Sequence, residues 1–180
     1  MIQDTPGYQA ILRHYGDRRA TRSGVLLIDH INQGLVILDR IGSDNVVKEA
    51  YAVHPIFQAD DDLKEHFFQS VDLHPLVVLY AMEYRNIANG FLSEKIVMPV
   101  PTSAMSIFNT GPKPLHPIKI SPLSAVNKML IADKVQNRKD FDRYHKGLHD
   151  RSDELDFYFK HWLQELDISE DRYQELIEGL

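Results

Sequence analysis

Two polar residues, Asp133 and Asn137, lie four positions apart in a stretch that otherwise has the pattern of a buried helix. Positions four apart share one face of an α-helix, so the two side chains are expected to point the same way. A carboxylate among apolar residues is costly unless a cation or a hydrogen-bond donor faces it. The stretch therefore predicts a site for a cation or a polar ligand inside a helical bundle.

Two histidines far upstream are candidates to face Asp133. His30 shares the apolar face of one predicted helix, and His54 ends the next one, immediately before Pro55. Either histidine alone is more commonly a hydrogen-bonded core residue than a ligand. Together with Asp133, two imidazoles and one carboxylate can hold a divalent transition metal such as Mn, Fe or Zn, with positions left open for water or substrate. Spacing alone does not show whether the three helices converge.

Helical periodicity dominates the chain and predicts an all-α fold in a single domain, residues 1–180. Ser43 and Ser169 are expected to cap the third and the last helix. Six prolines between 97 and 122 predict a long proline-rich irregular segment near 96–122. The expected helices cover roughly 7–16, 25–41, 44–54, a short stretch from Asp60, 75–94, 122–146, 151–167 and 169–179.

The composition is that of an ordinary globular protein, with 43% hydrophobic and 26% charged residues. The net charge of −6 argues against a nucleic-acid partner but allows a small basic pocket. The absence of cysteine excludes disulfides, thiolate metal sites and a cysteine nucleophile, and it fits a cytoplasmic location. The sequence shows neither a signal-peptide pattern nor an apolar run of membrane-spanning length, so no membrane association is expected.

Four segments, in order, resemble motifs of the guanosine tetraphosphate (ppGpp) hydrolases, which belong to the metal-dependent HD-domain superfamily. Arg22–His30 resembles the opening motif, in which an arginine, a glycine and an apolar pair precede the first metal histidine. Ala50–His54 falls where that family carries the histidine of its His-Asp pair. Leu130–Asn137 resembles the Leu-Ala-Asp-Lys/Arg-Leu-x-Asn motif. Arg151 followed by Tyr158–Trp162 resembles the closing Arg…Tyr-Phe-x-Trp pattern.

The resemblance spans roughly residues 20–165 and implies an HD-domain-like helical bundle. The implied metal ligands are His30, His54 and Asp133, and the implied contacts to a nucleotide are Arg22 and Asn137. Arg138 follows Asn137 on a helix with several basic residues, so it is a further candidate for a phosphate contact. A solvated helix face is the alternative for Arg138.

The second motif departs from the family pattern. The family's His-Asp-x-x-Glu-Asp becomes His54-Pro55-Ile56-Phe57-Gln58-Ala59 in this chain. Pro55 has no side chain that coordinates a metal, and Gln58 cannot take a proton from water near neutral pH. Three aspartates at positions 60–62 follow directly, and they either replace the missing acids or begin a solvated helix.

Three functions follow from these residues as hypotheses. The first is a degenerate HD-domain protein that lacks the family's hydrolysis and binds a nucleotide or another phosphorylated ligand. The second is a metal-dependent phosphohydrolase of altered geometry, in which Asp60, Asp61 or Glu83 replaces the missing acids. The third is a structural or protein-interaction module whose pocket is vestigial.

Overall fold

The computed structural model describes residues 1–67, 73–93 and 120–180, and these residues confirm the all-α prediction. They form eight α-helices after a short 3-10 turn at Ile2–Asp4, and no strand occurs among them. The helices are α1 Pro6–Tyr15, α2 Leu27–Arg40, α3 Asn45–Gln58, α4 Asp60–Phe67, α5 Pro75–Ser93, α6 Ile120–Tyr144, α7 Ser152–Glu165 and α8 Glu170–Ile177.

The third helix differs from its prediction at both ends. Asp44, not Ser43, caps it, because the Asp44 carboxylate accepts a hydrogen bond from the Val47 backbone N–H at 2.9 Å. The helix also continues through Pro55 to Gln58 instead of ending at residue 54. A proline inside a helix removes one N–H bond and crowds the carbonyl four residues back, and burial on several sides of α3 offsets this cost.

α3 lies at the centre of the described helices and packs against α1, α2, α4, α5 and α6. Its contact with α2 depends on Gly34, because a Cβ atom there would lie 2.0 Å from the Tyr51 hydroxyl oxygen. The missing side chain lets the Tyr51 ring lie directly against α2. This close approach brings His30 of α2 near His54 of α3.

α6 spans 25 residues and contacts α2, α3, α5, α7 and α8. The irregular segment predicted near 96–122 lies outside the described residues up to position 119, and its last three positions open α6. Pro122 is in the first turn of that helix, where a missing N–H leaves no intrahelical bond unmade. Among the described residues, no helix combines the length and apolarity that crossing a membrane requires.

Candidate metal and ligand site

The predicted convergence of three helices is present in the structure. His30 of α2 and His54 of α3 both direct Nε2 toward Asp133 of α6, at 3.5 Å and 4.0 Å from its Oδ1. One ligand atom from each of the three residues lies within 4.8 Å of the other two. These three residues, which are 24 and 79 positions apart along the chain, can therefore hold one metal ion.

Pro55 determines how the His54 ring is oriented. Because Pro55 has no N–H, the backbone carbonyl of Tyr51 lacks its usual helical partner. The His54 Nδ1 lies 2.6 Å from that carbonyl, which can only accept a hydrogen bond. Nδ1 therefore carries the ring proton, and the lone pair of Nε2 faces Asp133.

His54 is neutral at neutral pH. Its side chain is almost completely buried, and burial lowers its pKa to about 4 from the ordinary 6.5. Asp133 raises the pKa by a smaller amount, while the nearby charges of His30 and Lys134 lower it further. A neutral imidazole with an exposed Nε2 lone pair is the form that binds a metal.

Asp133 is ionised although it is buried. Burial alone would raise the pKa of its carboxyl, but Lys134, His30 and His54 hold that pKa well below its usual range. The Lys134 ammonium lies 2.9 Å from Oδ2, and the Asn137 amide donates to Oδ1 at 2.8 Å. The carboxylate therefore has a counterion on one oxygen, while the other faces the two histidines.

Lys134 is itself a buried charge that Asp133 stabilises. Burial would lower the pKa of its ammonium, and the adjacent carboxylate more than offsets this and raises it. The ammonium also lies 5.7 Å from the Tyr158 ring centroid and 5.2 Å from that of Trp162, where aromatic faces attract a cation. The pair Asp133–Lys134 is thus electrically neutral before any ligand binds.

The donor set fits a divalent transition metal. The His54 lone pair faces the Asp133 Oδ1 atom at 4.0 Å with no proton of its own between them, so a cation placed there would have both atoms as ligands. Two imidazoles and a carboxylate suit Mn, Fe or Zn. Since Pro55 adds no ligand and Lys134 already balances Asp133, the site offers a metal three ligands and little net negative charge.

A cavity of about 500 Å³ lies over these residues. Its lining combines the three candidate metal ligands with basic groups and aromatic rings. At its mouth the exposed Arg22 guanidinium contacts the ring of His149. The other basic residues that line it are Lys134 and His145, and the aromatic ones are Tyr15, Tyr84, Phe141, Tyr158 and Phe159.

The structure brings Arg22 and Asn137 to this cavity but does not bring Arg138 there. The Arg138 side chain is buried on another side of α6, where Nη2 lies 2.9 Å and 2.8 Å from the two carboxylate oxygens of Glu170. Its guanidinium carbon lies 4.0 Å from the centroid of the Tyr173 ring. Arg138 therefore attaches α8 to α6 and lies apart from the cavity, and its contact with a ligand stays a prediction.

The aspartates after α3 lie outside this cavity. Asp60 pairs with Arg85, and Asp61 is exposed to solvent near Lys64. Neither lines the cavity, and Glu83 does not line it either, whereas Pro55 and Gln58 do. The cavity thus carries a proline and an amide at the positions where the resembled motif has two acids.

Two residues of the site were not identified as such from sequence. Tyr84 of α5 lines the cavity, and both burial and Asp133 raise the pKa of its hydroxyl well above the usual value. Gln136 lies with its Oε1 2.6 Å from the Nδ1 of His30. A signal existed for Tyr84, since the polar stretch Glu83–Asn86 interrupts an apolar helix, but no local pattern marked Gln136.

A comparison of the chain with family models, curated proteins and solved structures finds no significant match. The meaning of the site therefore depends on its own residues and their geometry. The likeness of four segments to the ppGpp hydrolase motifs stays a prediction from sequence.

Proposed function

We propose that this chain is a degenerate HD-domain-like protein that binds a nucleotide or another phosphorylated small molecule and does not hydrolyse it by the mechanism of the ppGpp hydrolases. The observation that carries the proposal is the cavity above His30, His54 and Asp133, which keeps the metal-type ligands. Among the described residues its acids are Asp133 and Asp140, and both already have partners. A protein of this kind is expected in the cytoplasm and is not expected to bind nucleic acid.

The lining of the cavity favours an anionic ligand with an aromatic part. Arg22 and the rings of His145 and His149 can meet phosphate oxygens, although the chain as a whole carries a net charge of −6. Phe141, Tyr158 and Phe159 supply rings on which a base can stack. A nucleotide combines both features, and the volume is within the range of small-molecule sites.

The proposal includes one divalent transition metal held by His30, His54 and Asp133. A metal in such a site supplies an electrophilic centre that polarises a phosphate oxygen. Asn137 holds the Oδ1 atom of Asp133 by a hydrogen bond, and Lys134 holds Oδ2. These two contacts keep the carboxylate directed toward the histidines.

Loss of hydrolysis is supported by the state of the carboxylates that line the cavity. Asp133 has Lys134 and Asn137 as partners, and Asp140 accepts from Gln136 and pairs with Lys139. Neither carboxylate is available to remove a proton from water, and Gln58 stands where the resembled motif has its glutamate. Ligand binding without turnover is the function that this arrangement favours.

Thermal unfolding with ligands tests the proposal. Guanosine polyphosphates, GTP, ATP and inorganic phosphate would each be added with and without Mn²⁺, and phosphate release would be measured in parallel. A nucleotide at 100 times its dissociation constant should stabilise the fold by about 2.7 kcal/mol. If none of the nucleotides raises the unfolding temperature, the binding proposal is contradicted. Metal-dependent phosphate release would favour the phosphohydrolase hypothesis.

Matched variants show whether the stabilisation by ligand arises in the cavity. Arg22→Ala and Asn137→Ala should each reduce the ligand-induced shift, because both residues line the cavity. Arg172→Ala is the control, since Arg172 lies on α8 and pairs with Glu175. An equal loss in the Arg172 variant would place the nucleotide outside the proposed site.

A further inference from the structure

Gln136 connects the candidate metal site to a partly buried polar cluster formed by Gln33, Lys139 and Asp140. The residue is 1% exposed and lies three positions after Asp133 on α6. Its Oε1 atom lies 2.6 Å from the Nδ1 of His30. Its amide nitrogen donates to Asp140 Oδ2 at 2.7 Å and to Gln33 Oε1 at 3.2 Å. Both ends of the amide are therefore engaged.

The cluster determines which end of the Gln136 amide faces His30. Lys139 is a donor only, and its ammonium contacts Gln33 Oε1, so that atom is confirmed as an acceptor. The Asp140 carboxylate also only accepts, and it pairs with Lys139 at 3.1 Å. Since Gln33 Oε1 and Asp140 Oδ2 can only accept hydrogen bonds, the NH₂ group of Gln136 must face these two atoms. The carbonyl oxygen is left to face His30.

This orientation in turn determines the form of the His30 ring. A carbonyl oxygen can only accept, so Nδ1 of His30 must carry a proton. In the neutral ring, Nε2 then presents its lone pair to Asp133 at 3.5 Å. His54 reaches the same state through the Tyr51 carbonyl. Two independent hydrogen bonds, one to each Nδ1, thus leave the Nε2 lone pairs of both rings directed toward Asp133.

We infer that Gln136 is a positioning residue that holds His30 in the Nδ1–H form, and that Lys139, Gln33 and Asp140 act through it. The inference rests on the proposed metal site, and it adds that Gln136 determines which nitrogen of His30 is free to bind the metal. Without Gln136, a neutral His30 can place its proton on Nε2 and donate it to Asp133. That alternative hydrogen bond would occupy the lone pair that a metal requires.

Nitrogen-15 NMR of the histidine rings tests the inference on metal-free protein in EDTA, at a pH where His30 is neutral. Wild-type His30 should show the Nδ1–H form. Gln136→Met keeps the length of the side chain but removes the acceptor, and it should yield a substantial Nε2–H population. Gln136→Glu combined with Asp140→Asn keeps an acceptor toward His30 and places an amide donor opposite the new carboxylate, so it should return His30 to the Nδ1–H form. Gln174→Met, on α8, is the control and should change neither ring.

Titration with Mn²⁺ alone gives the second readout. Removing an outer hydrogen-bond partner of a metal ligand typically lowers affinity by about 10- to 100-fold. We expect that loss in Gln136→Met and recovery in Gln136→Glu combined with Asp140→Asn. If Gln136→Met does not fold, the ring form of wild-type His30 decides the question, because an Nε2–H form there overturns the inference.

The outcomes separate this inference from the proposed function. Nδ1–H in wild type and its loss in Gln136→Met, without Mn²⁺ binding to either protein, would support the positioning role and contradict the metal site. Unchanged ring forms and equal Mn²⁺ affinity in wild type and Gln136→Met would overturn the positioning role and leave the metal site standing. An Nε2–H form in wild type would also overturn it.

Discussion

Asp133 and Lys134 are adjacent in sequence, and each stabilises the charge of the other in a buried environment. A buried ion pair contributes little to stability as a whole, but removal of one partner leaves the other charge without compensation. The carboxylate of Asp133 also accepts a hydrogen bond from the Asn137 amide and faces two imidazoles. At the scale of single residues, Asp133 is thus a structural group as well as a candidate metal ligand.

Asp133→Asn should destabilise the fold by about 3 kcal/mol, because it leaves the Lys134 ammonium buried without its counterion. Urea unfolding at neutral pH measures the change. Glu154→Gln is the control, since Glu154 pairs with Arg151 on the surface, and it should have little effect. Equal stability of Asp133→Asn and wild type would show that the buried pair is not maintained in solution.

His54 should make stability depend on pH in the acidic range. The pKa of His54 is about 4 in the folded protein and the ordinary 6.5 in the unfolded chain. Between pH 4 and pH 6.5 the unfolded state therefore binds more protons than the folded state. Stability is then fully present above pH 6.5 and falls as the pH drops toward 4, by about 3 kcal/mol in total. Asp133, whose pKa is lowered by folding, adds a further loss below its ordinary 3.8.

Urea unfolding of metal-free protein at pH 7.5, 6 and 5 measures this dependence, and His54→Asn should flatten it. A profile for His54→Asn as steep as that of wild type would assign the pH dependence to other groups.

At the scale of helices, the contact between α2 and α3 sets the distance between the two histidines. Gly34→Ala should destabilise the fold by about 2 kcal/mol, since the added Cβ would lie 2.0 Å from the Tyr51 hydroxyl. The higher helix propensity of alanine, about 1 kcal/mol, offsets part of the clash. Val36→Ala on the exposed side of α2 is the control for urea unfolding. A gain in stability for Gly34→Ala would mean that the helices are less closely packed.

The proline in α3 gives a second prediction at this scale. Pro55 lines the cavity, and Pro55→Asp supplies a carboxylate where the resembled motif has its metal aspartate. The added charge should tighten Mn²⁺ binding by about tenfold or more, or roughly 1.4 kcal/mol. Pro55→Ala restores the backbone N–H without the charge and is the matched control. Equal Mn²⁺ affinity of the two variants in calorimetry would argue against the three-residue metal site.

At the scale of the whole molecule, the fold is held by the apolar core and does not require a bound metal. Buried apolar residues from α1, α2, α3, α5, α6, α7 and α8 form one cluster, and Lys134 already compensates Asp133. Removal of metal by EDTA should therefore leave helix content and cooperative unfolding intact, with a fall in Tm of only a few degrees. Circular dichroism during thermal unfolding checks this. Loss of cooperative unfolding in EDTA would show that the metal is needed for the fold.

Much of the helical architecture could be predicted from sequence because periodicity, caps and glycine stops act over a few residues. Ser169 caps α8 as predicted, and Gly147 adopts a positive φ after α6 has ended. The error at α3 has a tertiary cause, since burial carries the helix past Pro55. The position of Arg138 apart from the cavity could not be read from sequence, because it depends on the side of α6 that meets α8.

The sequence by itself determined the residue types of the candidate site, the lack of acids at positions 55, 58 and 59, and the all-α class. Only the tertiary structure decided that His30, His54 and Asp133 meet, and that Gln136 faces His30. The reason is physical: residues on one helix are related by a fixed geometry, whereas 106 positions separate the bonded pair His30 and Gln136. Their contact depends on how α2, α3 and α6 pack, and the small Gly34 is part of what sets that packing.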